Sequence, residues 1–147
     1  MAKKEPKSTQ PEKERAFLVG VFLRSEPQLL GLDDSLAEAH AALGRYLNDY
    51  EFDPAGGEKE LRLAIELNPK YVTAHSWLGL VLSWQKRFDE AIAEAKIASD
   101  LDPLSLISSA EVGNTFVAAG RYDEAIAQLN ETLKLDPNFS AAHFYLG

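Results

Sequence analysis

From residue 35 onward the apolar positions recur three and four apart, the spacing of one helical face, in short blocks separated by turn residues. Ser35-Leu36-Ala37-Glu38 has the pattern of a capping box, in which the serine accepts from a backbone N–H three residues on and the glutamate reaches back. It predicts a helix from Ser35 to about Asn48. Asp53-Pro54 then supplies a cap and a proline at the first helical position, where its missing N–H costs nothing. The second helix should run through Leu61, Ala64 and Ile65 and stop before Pro69. The same reading gives helices at about 71–85 and 88–101, then 106–119 and 122–135, with Gly120 as the stop between the last two. Another helix begins at Ser140. Residues 16–34 are a short lead-in or a decayed half-repeat: AFLVGVFL suits either a short helix or a strand, and Pro27 interrupts any helix through it.

The blocks are copies of one unit. Glycines stand 34 or 35 residues apart at Gly44, Gly79, Gly113 and Gly147, prolines 34 apart at Pro69, Pro103 and Pro137, and DEAIA occurs at 89–93 and again at 123–127. One unit is complete at 72–103, others lie at about 37–69 and 106–137, and a partial one occupies 140–147. An extra residue in the loop of the first copy explains its longer glycine spacing. A period of this length marks stacked helix pairs, each burying one face within the pair and the other against a neighbour. A glycine inside a helix costs about 1 kcal/mol relative to alanine. Close approach compensates: at Gly44, Gly79 and Gly113 the first helix is expected to press on the second, against Gly57, Ala91 and Ala125 and then Ala64, Ala98 and Thr132. Leu43, Leu78 and Val112, with Leu47, Leu82 and Phe116, should fill the space beside these crossings.

These residues resemble the tetratricopeptide repeat (TPR). Its succession of an aromatic, leucine-glycine, an aromatic, alanine, an aromatic and proline reads here as His75, Leu78-Gly79, Leu82, Ala91, Ala95 and Pro103. It recurs as Ser109, Val112-Gly113, Phe116, Ala125, Leu129, Pro137 and as His40, Leu43-Gly44, Leu47, Gly57, Leu61, Pro69. The large aromatic places are mostly relaxed to His, Leu, Ser or Ala. The resemblance covers residues 35–147 and implies an all-α fold, a right-handed alpha-alpha superhelix of antiparallel helix pairs, with the first helix of each pair lining a concave surface. GLDDSLAEAH, EKELRLAIELNP, LDPLSLI, RYDEAIAQL and FLVGVFLRSEP are further similar to TPR arrays attached to bacterial serine/threonine kinases and winged-helix regulators. That similarity implies, as an alternative, a regulatory or sensory fragment of such a protein. This sequence contains neither a kinase Gly-rich loop and catalytic Asp nor room for a winged helix.

Charge narrows the ligand class. The 147 residues carry a formal charge of −8, but residues 1–15 hold five Lys or Arg against three Glu and leave −10 on the remainder. An acidic body repels phosphate backbones and anionic lipid, so neither nucleic acid nor membrane is the expected partner. The lead MAKKEPKSTQPEKER has no apolar periodicity and reads as disordered. The apolar run Ala16–Leu23 is too short for a membrane span of about 20 residues and is followed by Arg24-Ser25-Glu26-Pro27 rather than a cleavage site. With no cysteine, the chain fits a reducing, cytoplasmic setting.

No residue set in the sequence converges on catalysis. Glu58 with Glu60, Asp89 with Glu90 and Asp123 with Glu124 fall in loops or first helical turns, where the helix dipole favours them. His40, His75 and His143 share one place in successive copies, so a repeat translation separates them beyond the roughly 2.1 Å shell of a zinc ion. They read as helix-packing residues, and no metal, no cofactor and no enzymatic activity is expected. The TPR resemblance instead assigns a partner-binding groove to Arg45, Asn48, Thr73, Ser76, Trp77, Leu80, Ser83, Trp84 and Asn114. Family members that grip C-terminal carboxylates use a Lys, Arg and Asn clamp, and the matching places here hold Ala41, Arg45, Trp77, Ile107 and Glu111. The expected function is therefore a scaffold that binds a peptide or partner protein other than a chaperone tail. Phe144, Tyr145 and Leu146 in the last half-repeat also suggest self-association through an open apolar helix.

Overall fold

The computed structural model describes residues 33–147. The expectations for residues 1–32, including the lead and most of the segment 16–34, lie outside these. The described chain consists of α1 (Asp33–Asp49), α2 (Pro54–Leu67), α3 (Val72–Trp84), α4 (Phe88–Leu101), α5 (Leu106–Ala118), α6 (Tyr122–Leu135) and α7 (Ser140–Leu146). Among the described residues there is no strand, and no helix is long and apolar enough to cross a membrane.

Local chemistry fixes several helix ends. Asp53 caps α2 through its Oδ1, which accepts from Gly56 N at 2.9 Å, with Pro54 in the first turn. Ser105 caps α5 in the same way, accepting from Ser108 N at 3.2 Å. α1 begins at Asp33, two residues ahead of the expected start, so Ser35 lies within the first turn and not at the cap. The turns after the first helices share a left-handed residue: φ is +73° at Gly120, +61° at Lys86 and +53° at Phe52. In two of them the chain closes with an N–H five residues past its carbonyl, Arg87 N to Leu82 O and Arg121 N to Phe116 O, both at 2.9 Å. In the first copy Asp53 N reaches Leu47 O, six residues back, so the extra residue lies between Asp49 and Phe52.

Helices pair as α1 with α2, α3 with α4 and α5 with α6, and each second helix packs on the next first helix. The first helices also touch along the stack, α1 with α3, α3 with α5 and α5 with α7, whereas the backbones of the second helices stay apart and α2 reaches α4 through long side chains, Arg62 Nη2 to Glu90 Oε2 at 3.4 Å. Contact on one side only bends the stack, and the first helices occupy its inner side. Apolar residues fill the layers in succession. Leu61, Leu78 and Leu82 lie between the first two pairs, Ile92, Val112 and Phe116 between the next two, and Ala110, Leu129 and Ala142 beneath α7.

The helix crossings occur at the glycines. A Cβ on Gly44 would stand 2.8 Å from Gly57 O and 2.8 Å from Leu61 Cγ, and one on Gly57 would stand 2.8 Å from Gly44 O. This is backbone against backbone. At Gly79 the nearest atom is Ala91 O at 3.2 Å, and at Gly113 it is the Leu129 side chain at 2.6 Å. Gly57 and Ala91 thus face the glycines as expected, but the next contacts are Leu61, Ala95 and Leu129 in place of Ala64, Ala98 and Thr132. Thr132 instead meets Ser109, Oγ1 to Oγ at 2.7 Å.

The outer side is stitched by ions. Glu58, its side chain only 15% exposed, receives Arg87 Nη1 at 2.7 Å, Arg62 Nη2 at 2.8 Å and Gln85 Nε2 at 3.2 Å, which ties α2 to the turn before α4. One pair further on, Arg121 reaches Asp89 at 3.7 Å while pairing with Glu124. Burial pushes the Glu58 carboxyl up, but the bonds from Arg87, Arg62 and Gln85 outweigh it and hold it below the ordinary value of 4.5.

Two outcomes follow from these contacts. Gly44→Ala should lower stability by about 1–3 kcal/mol, because the helices must part to admit the methyl group. Gly79→Ala should cost distinctly less, since its contact is looser and the gain in helix propensity offsets it. Equal losses in denaturant titrations would contradict this assignment of the crossings. Glu58 supplies stability that is complete above the carboxyl value of the unfolded chain and is lost as pH falls through its lower folded value. Melting midpoints followed from neutral pH down to about pH 3 should therefore fall less steeply in Glu58→Gln than in the unsubstituted chain, and identical slopes would contradict that role.

Candidate functional site

Because the first helices line the inner side, residues spaced i, i+4 and i+7 along α3 form a stripe that faces it: Ser76, Leu80 and Ser83, with Trp77 beside them. Arg45 of α1 flanks this stripe on one side, and Glu111, Asn114 and Thr115 of α5 flank it on the other, with Tyr145 of α7 beyond. Gly79 and Ala95 also line this hollow of about 310 Å³, where small residues leave room between the helices. Trp77, Glu111 and Tyr145 stand 34 residues apart, so one repeat position supplies an aromatic, a carboxylate and an aromatic in turn.

The charges here are few. α3 contributes no Asp, Glu, Lys or Arg. Arg45 bonds Asp49 one turn along its own helix, and its guanidinium carbon stands 5.7 Å from the centroid of the Trp77 ring, a cation–π contact. Among the described residues the Glu111 carboxylate has no ion pair or side-chain hydrogen bond. Only its backbone carbonyl is engaged, by Thr115 Oγ1 at 2.7 Å.

A second, larger hollow of about 680 Å³ opens at the rim, between the C-terminal ends of α1 and α3. Arg45, Asn48, Asp49, Phe52, Pro54, Trp84 and Gln85 line it. Trp84 is 55% exposed and Phe52 is 85% exposed on its left-handed turn. Gln85 is held by the carbonyl of Pro54 and by Glu58.

The residues expected in one groove are thus divided. Arg45, Ser76, Trp77, Leu80, Ser83 and Asn114 surround the central hollow, and Arg45 also belongs to the rim hollow with Asn48 and Trp84. Asn48 is 5% exposed and lies against Gly57 of α2, so its bulk fills the helix interface. Thr73 lines neither hollow. Burial raises the pKa of the nearby Tyr71 phenol, and the Thr73 hydroxyl opposes that shift. Glu111, one of the clamp places named from the sequence, does line the central hollow, whereas Thr115, Tyr145, Phe52 and Gln85 are additions of the structure. The register of Trp77, carried forward one and two repeats, identifies Glu111 and Tyr145.

The histidines also acquire partners that follow the period. His75 is buried, with Nε2 donating to the Pro69 carbonyl at 2.9 Å and Nδ1 2.7 Å from Glu94. His40 meets Glu60 at 2.6 Å, and His143 Nε2 donates to the Pro137 carbonyl at 2.8 Å. In the third pair Ser109 and Gln128 take the same two places, linked at 3.1 Å. Each contact joins elements of the stack, and among the described residues no group of three or more His, Asp or Glu is placed to hold a metal ion.

Comparison with known proteins agrees with this architecture. A family model described as tetratricopeptide repeat matches residues 53–105 and one described as TPR repeat matches residues 113–147, together more than half of the chain. No curated protein matches. Among solved structures, YrrB, a TPR protein with an unusual peptide-binding site, is similar at a TM-score of 0.70 and 19% identity, over 88% of this chain and 71% of that one. The first TPR of Spaghetti (RPAP3) bound to the HSP90 peptide SRMEEVD gives a TM-score of 0.69 at 16% identity, over 80% and 92%. The Arabidopsis OM64 TPR domain gives 0.68 at 18% identity, over 78% and 93%. From its repeated helix pairs, its glycine crossings and both family matches, the chain belongs to the tetratricopeptide repeat family.

Proposed function

We propose that the chain is a non-enzymatic, cytoplasmic scaffold that holds an extended or helical segment of a partner protein in the hollow of its inner face. The observation that carries this reading is the one-sided contact of the first helices, which leaves Ser76, Leu80, Ser83 and Asn114 facing a shared hollow. Apolar surface with a few polar groups around it is what a peptide side chain and its backbone require. Two structurally similar proteins are described with a bound peptide or a peptide-binding site, which supports the same use of this face. An acidic tail such as SRMEEVD is not the ligand proposed here. The clamp places hold one cation, Arg45, and Asp49 already neutralises it.

A second surface favours self-association. Phe144 is 80% exposed and, with Tyr122, Ile126 and Leu146, borders a cavity of about 240 Å³ between α6 and α7. We propose that two copies cover this apolar surface mutually.

Leu80→Ala and Trp84→Ala should each cut the recovery of bound partners from a cell lysate several-fold, in the range of a buried anchor lost from an interface, without changing the circular dichroism spectrum. Recovery unchanged in both would contradict the groove. Sedimentation should show a dimer that forms with rising concentration and is weakened by Phe144→Ser. A monomer at the highest concentrations would rule out the second surface.

A further inference from the structure

We infer that the inner hollow selects a cationic partner segment: an extended stretch that places a Lys or Arg side chain against Glu111 and an apolar side chain against Leu80. This rests on the groove reading above and adds to it the chemistry of the ligand. Glu111 lines the hollow with its carboxylate unpaired among the described residues, while the one cation beside it, Arg45, is bonded to Asp49. α3, which forms the middle of the wall, carries no charged acid or base to offset Glu111. An arriving ammonium or guanidinium supplies the counter-ion that the Glu111 carboxylate lacks, in a charge-assisted hydrogen bond.

The aromatic neighbours point the same way. Glu111 occupies the repeat position between those of Trp77 and Tyr145, so a cation bonded to it lies in a wall that also holds aromatic rings. Arg45 already uses one of these rings, its guanidinium 5.7 Å from the Trp77 centroid, and so displays within the chain the contact a ligand cation would make. At longer range the body of the chain carries −10, which draws in basic segments and repels acidic ones.

The test is selection of a random heptapeptide library displayed on phage, panned against the full chain. Enriched peptides should carry a net positive charge with Lys or Arg beside an apolar residue. A chosen peptide should bind the full chain more weakly as salt rises, and Glu111→Gln, with its fold checked by thermal melting, should weaken it by about tenfold, the scale of one charge-assisted contact. Enrichment of acidic or uncharged peptides, no enrichment, or unchanged affinity in Glu111→Gln would overturn the proposal. Leu80→Asp separates the two levels. Loss of binding in Leu80→Asp with none in Glu111→Gln leaves the groove standing and removes the cation, whereas binding unaffected by both removes the groove as well. A full-chain variant with Lys3, Lys4, Lys7, Lys13 and Arg15 changed to Gln covers the remaining occupant. If cationic peptides bind only that variant, the basic lead of this chain fills the hollow, and the assignment to a partner is overturned.

Discussion

Two helix backbones can approach until their own atoms touch only where neither carries a side chain, and the crossing of Gly44 with Gly57 is such a place. Much of the form of this chain depends on that constraint and its weaker versions downstream. Where Gly57 gives way to Ala91, the contact at Gly79 relaxes to 3.2 Å; at Gly113 a leucine side chain lies across the glycine instead. The pairs are therefore graded along the stack, tightest at α1 with α2. Each exposes two apolar flanks that the next pair must cover, which is why the core consists of layers of Leu, Ile, Val, Phe and Ala and not of a single central cluster.

The division of labour between the two sides follows from which helices touch. The backbones of the second helices stand apart on the outer side, and the gap at the first junction is spanned by long side chains, Arg62 reaching Glu90 and Arg87 reaching Glu58. First helices are close enough to touch directly, so their inward positions need no such bridges and remain open to a ligand. Charge is spent outside and sparse inside. The few inner charges then weigh more, because Arg45 is committed to Asp49 and Trp77 while Glu111 is not.

Much of the architecture was legible in the sequence because its cues are local and repeated: a glycine inside a helix, Asp-Pro at a helix start, and a stop at Gly120. What the sequence did not reveal depends on reach. The period identifies the position opposite Gly113, but not that the Leu129 side chain, four residues beyond Ala125, extends across it. Ser35 looked like a cap on the strength of four residues, whereas the helix continues back to Asp33. The histidines pack as their place in the repeat suggests, and their partners lie on the same period: Glu60 for His40 and Glu94 for His75, with Gln128 at that place beside Ser109. For the hollow, a helical-wheel argument brings Ser76, Leu80 and Ser83 to one face, yet it cannot show that Asn48 is sealed against α2.

If the bend of the stack makes the first helices, and not the second, the surface on which a partner lies, amide chemical-shift mapping by NMR will show it, with the full chain titrated by a peptide obtained from the library selection. The shifts should concentrate on α1, α3 and α5 around Arg45, Leu80 and Asn114. Shifts concentrated instead on α2, α4 and α6 would place the partner on the outer side and overturn this assignment.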